Sequence, residues 1–290
     1  AGDCARAERR MSAAAGASNL FRLGIGSYTY PWAVGMPGRR PARPLGPKEL
    51  IGRAQALGVR VVQICDNICL QALPEVELAA LRELAAGLGI ELEVGLRSVD
   101  PGELMAYLGI ARALGSRLVR TVPELHGRAG SAQEVEALLL QVLPAFADAG
   151  IVLALENHGK HTAKELVAIM EALASPWAGI CLDTANSIGV LEPPSVVVEA
   201  LAAWAVSLHL KDFRVRRLEH GLGFVVEGCP LGTGALDVPR ILECVARAQR
   251  PLSVIVELWP PPADTLEETI AREERWAAES VRFVQGLLVA

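Results

Sequence analysis

Lysine is scarce: four of the 28 basic residues are lysines, at positions 48, 160, 164 and 211. Against 33 acidic residues the net charge is -5, and no basic run is interleaved with aromatics, which make up only 4% of the chain. Binding of duplex or single-stranded nucleic acid needs a cationic stripe against phosphates, so no nucleic-acid partner is expected. The arginine bias reads as the mark of a GC-rich genome. Uninterrupted apolar runs of about 18 residues are missing too, so no membrane span is expected, despite a mean hydropathy of +0.32.

The six cysteines (Cys4, Cys65, Cys69, Cys181, Cys229 and Cys244) contain no CxxC pair. A disulfide framework and a structural zinc site therefore have no spacing to rest on, and buried free thiols in a reducing cytoplasm are the expectation. The arginines of the N-terminal stretch are not followed by an apolar segment of the secretory type. Residues 1–20 are read as a disordered leader outside the fold, and the protein as cytoplasmic. Neither GxGxxG after the first strand nor GxxxxGK[ST] anywhere is found, which removes the usual phosphate-cradling motifs of open α/β sheets.

What is present is apolar: 51% of the chain, with 21% charged, enough for a large core. Eight short apolar runs stand out as strands: Leu23–Tyr30, Val61–Asp66, Leu92–Ser98, Leu118–Val122, Ile151–Asn157, Gly179–Asn186, Ala205–Phe213 and Leu252–Leu258. Each is dominated by apolar residues, as a parallel strand covered on both faces must be. Between them lie stripes of helical spacing, such as Leu78, Leu81, Leu84 and Leu88, or Leu166, Ile169, Met170 and Leu173. Gly58, Gly89, Gly115 and Gly150 stand where helices should stop before the next strand. Eight strand–helix units in this length predict an α/β fold, a single-domain (β/α)8 TIM barrel over residues 21–290. Long connections follow strands one (Pro31–Pro47) and seven (Arg214–Leu236), at the end where barrel sites lie, and could serve as lids or as decoration.

The second half of the chain ends its strands in ligand-type residues: Glu156-Asn157-His158, Asp183-Thr184-Ala185-Asn186, His209-Leu210-Lys211-Asp212 and Glu257. Alternation puts Ala154, Cys181, Ser207 and Ile255 on the same faces as Glu156, Asp183, His209 and Glu257. Leu155, Leu182, Leu208 and Val256 then face the helices. Three carboxylates converging in a dry pocket repel unless a cation neutralises them. With one imidazole they form a set suited to Mn²⁺ or Mg²⁺, or to Co²⁺ or Zn²⁺. The alternative is that each residue separately caps its strand or pairs with an arginine.

These four strand ends, together with the stretch Pro230-Leu231-Gly232-Thr233-Gly234-Ala235-Leu236-Asp237, resemble the xylose-isomerase-like TIM-barrel superfamily, within it the sugar phosphate isomerase/epimerase group. The resemblance covers about residues 21–287. It implies one divalent metal held by Glu156, Asp183, His209 and Glu257, with Glu156 and Glu257 also exchanging the substrate proton through an enediolate. Asn186 departs from the histidine common in the epimerases; Glu156-Asn157-His158, His209-Leu210-Lys211-Asp212 and the long seventh loop together resemble members that act on oxidised sugars or sugar acids, and Lys211 with Asn186 leans toward a lyase. Asp212 is the one further strand-end acid in the region where a second metal would need support.

The leading expectation is a metal-dependent isomerase or epimerase of a small ketose or keto-sugar. The alternatives are a metal-dependent lyase, a dehydratase or decarboxylase of a keto-sugar or sugar acid, and a non-catalytic sugar-binding subunit. Substrate contacts are expected from His158, Lys211, Asn186, Arg97, Asp66, Tyr28 and Trp32. Against those roles stand structural ones: Lys211 paired with Asp212 or Glu227, Arg97 and Arg120 paired with Glu124, and Tyr28 and Trp32 packed in the core. His161, just before an expected N-cap at Thr162, is placed at the surface, and His126 and His220 in solvated loops. A homodimer or tetramer is expected from the resemblance.

Overall fold

In the computed structural model, residues 20–289 are described. The leader expected for residues 1–20, and Cys4 with it, therefore lie outside the described residues apart from Leu20. Eight parallel strands close into one barrel in chain order: β1 (Phe21–Gly26), β2 (Val61–Ile64), β3 (Glu91–Gly95), β4 (Leu118–Thr121), β5 (Val152–Glu156), β6 (Ala178–Asp183), β7 (Ala205–Leu210) and β8 (Leu252–Val256), with β8 pairing back onto β1. The helices are α1 (Pro47–Leu57), α2 (Glu75–Gly87), α3 (Pro101–Leu114), α4 (Ala132–Ala149), α5 (Ala163–Leu173), α6 (Pro194–Leu201), α7 (Val238–Ala246) and α8 (Leu266–Val289). All eight strands expected from the apolar runs are there, each ending one to four residues sooner than its run.

Local chemistry explains the helix boundaries. Asp100, Ser131, Thr162 and Asp237 each accept a backbone N–H from the first turn of the following helix. Ser131 and Thr162 complete reciprocal boxes with Glu134 and Glu165. At the far ends Gly58, Gly115 and Gly150 take the left-handed conformation that closes a helix without a Cβ clash.

The two faces of the strands separate cleanly. Leu155, Leu182, Leu208 and Val256 belong to the large core between barrel and helices, whereas Leu118, Ala154 and Cys181 form a small apolar cluster of their own with Val206. A register shift in the β6–β7 pairing is decisive for the site. Ile180 pairs with Ala205 but Cys181 with Ser207, so Val206 is the extra residue. Such a bulge re-aims the residues beyond it, and here it brings Asp183 level with His209.

The two long connections form substructures at the C-terminal end of the barrel. The first holds a short helix, Pro31–Val34, before α1. The second is an antiparallel hairpin, Asp212–Arg217 against Phe224–Cys229, so the seventh apolar run is divided at Lys211 between barrel and hairpin. Among the described residues no helix is long and apolar enough to cross a membrane. The five described cysteines are free; four are buried, but Cys69 is exposed, contrary to the expectation of burial.

Candidate active site

Glu156 closes β5, Asp183 closes β6, His209 is next to last in β7, and Glu257 directly succeeds β8. All four are buried. One atom each from Asp183, His209 and Glu257 lies within 4.8 Å of the others, and the same holds for Glu156, Cys181 and His209. His209 is common to both groups: its Nδ1 is 3.2 Å from Glu257 Oε1 and 3.6 Å from Glu156 Oε2. The strand ends therefore bring together the four residues of the expected ligand set.

The orientation of His209 is determined from below. Glu93 on β3 accepts from Gln63 Nε2 at 3.0 Å, which aims Gln63 Oε1 at His209 Nε2, 2.8 Å away. A carbonyl oxygen only accepts, so Nε2 carries a proton, and Nδ1 is the ring nitrogen turned to the carboxylates, its lone pair open to a metal in the neutral ring. That is how a protein commonly orients a metal-ligating histidine. Glu93 also accepts from Ser253 Oγ, and Ser253 and Ser207 bond each other. Burial pushes the Glu93 carboxyl above its ordinary range against these bonds. Asp183 is held as firmly: its amide and carbonyl are clamped by the Asn157 side chain, and its Oδ1 accepts from the amides of Ala185 and Asn186 at 2.8 and 2.7 Å.

Two cations face the carboxylates. Arg120 on β4 donates through Nε to Glu156 and reaches Asp66 at 3.1 Å through Nη1. Burial raises the Glu156 carboxyl, but Arg120, His209 and His158 outweigh it and hold it below the ordinary carboxylate range. Lys211 Nζ lies 2.8 Å from Glu257 Oε2 and 2.9 Å from Asp183 Oδ2. Burial likewise works against ionisation of Glu257, and His209 and Lys211 reverse it. Lys211 thus pairs with two ligand-type carboxylates, neither of them the Asp212 or Glu227 weighed from sequence.

A divalent ion fits this set. His209 Nδ1 and Asp183 Oδ2 are both buried without a hydrogen-bond partner, and the Lys211 contact to Asp183 is charge against charge. The four carboxylates of Asp66, Glu156, Asp183 and Glu257 face the two cations Arg120 and Lys211, so the cluster is short of positive charge even when the His209 imidazole is counted as a third. Glu156, Asp183, His209 and Glu257 are the residues that would hold the ion. Cys181 is beside them, but burial raises its thiol well above the ordinary range, which disfavours the thiolate that a metal would need.

The remaining expected contacts divide between floor and rim. Asn186 donates to Glu156 Oε1 at 2.8 Å and lies 3.4 Å from Lys211 Nζ. Tyr28 donates to Asp66 at 2.9 Å, and burial together with that carboxylate raises its hydroxyl pKa. His158 keeps a buried Nδ1 without a partner; burial lowers its pKa, with Glu156 opposing and Arg120, Arg97 and Lys211 assisting. Arg97 instead forms a bidentate pair with Glu124, which also takes Lys160 at 2.8 Å. Trp32 bonds Pro260 through its indole, and its amide is held by Glu273.

Asp212 has another duty. Its carboxylate accepts from the amides of Phe213, Gly232, Gly234 and Leu236, between 2.8 and 3.2 Å, so it ties down the Pro230–Asp237 turn and has no capacity for a second metal. A Cβ on Gly234 would collide with Asp212, which explains glycine there. His161 is buried, not at the surface, and donates to the carbonyl of Gly130 at 2.7 Å. Gln63 and Glu93 are the functional residues that reasoning from sequence misses. A signal for Gln63 exists: an amide within Val61-Val62-Gln63-Ile64, a strand otherwise wholly apolar.

Comparison with known proteins agrees with this geometry. The model of the family described as xylose isomerase-like TIM barrel matches residues 51–286. A 3-oxo-isoapionate decarboxylase from Pectobacterium atrosepticum is 36% identical over 262 residues, covering 90% of this chain and 94% of that one. Among solved structures, a D-psicose 3-epimerase determined in the presence of D-fructose superposes with a TM-score of 0.70 at 16% identity, over 93% of this chain and 100% of the other. A xylose isomerase-like protein from Mycobacterium smegmatis in complex with magnesium does so at 0.68 and 13%, over 91% and 97%. With a closed eight-stranded barrel, a matching family model and a relative aligned nearly end to end, the chain belongs to the xylose isomerase-like TIM-barrel family.

Proposed function

We propose that the protein is a divalent-metal-dependent decarboxylase of a small 3-oxo sugar acid. The observation that carries this reading is the 36% identity to a 3-oxo-isoapionate decarboxylase along 90% of the chain. The psicose and ribulose epimerases are similar at 15–16% identity, a level that speaks for the fold alone. The preference therefore moves from the isomerase expected first to the lyase held beside it.

The chemistry suits the site. In a 3-oxo acid the bond from C2 to the carboxylate carbon breaks, CO₂ leaves, and the electron pair passes through C2 onto the C3 oxygen as an enediolate. A proton then adds at C2. A divalent ion supplies positive charge where that oxygen becomes negative, the point at which preorganised charge lowers the barrier most. Arg120, anchored on Glu156 and Asp66, and Lys211 add positive charge to the buried floor where an anionic substrate would meet it. The proton added at C2 comes from solvent, and Glu156 and Glu257, ionised and on neighbouring sides of His209, are placed to relay it. His158, in the field of Arg97, Arg120 and Lys211, offers an unpartnered ring nitrogen to a hydroxyl or carboxylate.

The test is turnover of 3-oxo sugar acids and neutral ketoses in D₂O with Mn²⁺ or Mg²⁺, set against chelated protein and the spontaneous rate. Metal-dependent CO₂ release with one deuteron at the former C2 is the expected result. Exchange into neutral ketoses without CO₂ would replace this reading with an epimerase, and inertness of metal-loaded protein towards both would leave only sugar binding.

A further inference from the structure

Lys211 is the least ordinary side chain in the site. Its Nζ is 2.8 Å from Glu257 Oε2 and 2.9 Å from Asp183 Oδ2, two of the carboxylates expected to hold the metal, and 3.4 Å from Asn186 Oδ1. A positive charge so near two ligand oxygens lowers the attraction those oxygens exert on any other cation, and the effect is large where water is excluded. The ammonium and the divalent ion are therefore rivals for the same two carboxylates. Arg120 is placed differently. It touches only Glu156 within the ligand set, and its guanidinium is also anchored on Asp66 and the Leu96 carbonyl. Lys211 is on a flexible four-carbon stem, and its ammonium also meets the neutral side chain of Asn186.

We infer that Lys211 is the site's internal counter-ion: it weakens metal binding in the metal-free protein and, once a divalent ion takes over Asp183 and Glu257, is freed to contact an anionic oxygen of the substrate. Metal and acid substrate then bind in order, metal first. Lys211 thereby becomes a specificity residue for sugar acids over neutral sugars, a point that rests on the proposed function. The competition for Asp183 and Glu257 does not.

Calorimetric titration of Mn²⁺ into chelator-treated protein separates the two. Lys211→Met should bind Mn²⁺ roughly tenfold or more tightly than the unaltered chain, while Lys211→Arg should stay near it. Lys211→Gln serves as the neutral variant if Lys211→Met fails to fold. Unchanged or weaker Mn²⁺ binding in the neutral variant overturns the inference, because a residue that merely orients the ligands would leave them poorer when removed. In a second titration, D-erythronate, a four-carbon sugar acid without the keto group, should bind the Mn²⁺-loaded chain, bind the metal-free chain at least about tenfold more weakly, and lose its affinity in loaded Lys211→Met. Equal binding with and without Mn²⁺ overturns the ordered sequence. Absence of CO₂ release from 3-oxo acids alongside tighter Mn²⁺ binding in Lys211→Met would sink the decarboxylase and leave the counter-ion standing.

Discussion

His209 shows how one residue's role depends on partners far away in the chain. Its Nδ1 is useful to a metal only because Nε2 is engaged by Gln63, and Gln63 is aimed only because Glu93 takes its amide. Gln63→Met keeps the volume and removes the acceptor; metal affinity should fall about 10- to 100-fold with the fold intact, as read by titration of the chelated variant. His209→Ala should lower the metal content further, and full stoichiometry in that variant would take the imidazole out of the ligand set. Glu156→Gln and Glu257→Gln should each abolish turnover while retaining part of the metal. The ligand types themselves were legible, since each strand of the second half is mainly apolar and carries one carboxylate or imidazole at or near its end. Their support was not. Gln63 and His209 are 146 residues apart, and only closure of the barrel makes them neighbours. Arg120 posed the same difficulty: sequence offered Glu124 as its partner, and the structure assigns Glu124 to Arg97 and Lys160 instead.

Secondary-structure elements were readable to within a few residues because apolar runs and glycine stops are local signals. Less readable were the tethers between elements. Glu273 on α8 is fully buried and accepts the amides of Trp32 and Ala33 at 2.9 and 3.0 Å, joining the last helix to the first loop. Burial pushes its carboxyl up to about 8; the two amides and Arg53 oppose the shift, and Glu274 adds to it. Between the ordinary 4.5 and about 8 the folded chain holds a proton that the unfolded chain has released, so stability should fall as pH rises through that window. Glu273→Gln should flatten this dependence in thermal melts, at a cost of about 1–3 kcal/mol for an amide left without its acceptor. A slope unchanged in the variant would exclude Glu273 as its source. Asp212 is the second tether. Asp212→Ala strips four amides of their acceptor and should cost about 3 kcal/mol or more, measurable as a lowered denaturation midpoint.

For the whole molecule, the site's excess of negative charge makes folding and metal binding one equilibrium. Any divalent ion that binds the folded chain and not the unfolded one must raise the melting temperature, with a stabilisation of about 2.7 kcal/mol at a hundredfold excess over its dissociation constant. Replacing Asp183 or His209 by Ala should remove most of that rise, whereas Arg97→Ala, at the rim, should leave it. The barrel could be counted from sequence because its eight units repeat one grammar. The reaction could not, because decarboxylation and epimerisation draw on the same enediolate, metal and pair of glutamates. The hairpin after β7 carries a consequence for how such a protein diversifies. Asp212 and Cys229 are paired across its base, and Asp212, Phe213 and Arg214 together hold the turn beyond it, so it is the outer part, from Val215 to Val226, that can be exchanged as a cassette. Grafting a relative's hairpin between those two positions should leave undisturbed the floor where Glu156, Asp183, His209 and Glu257 meet.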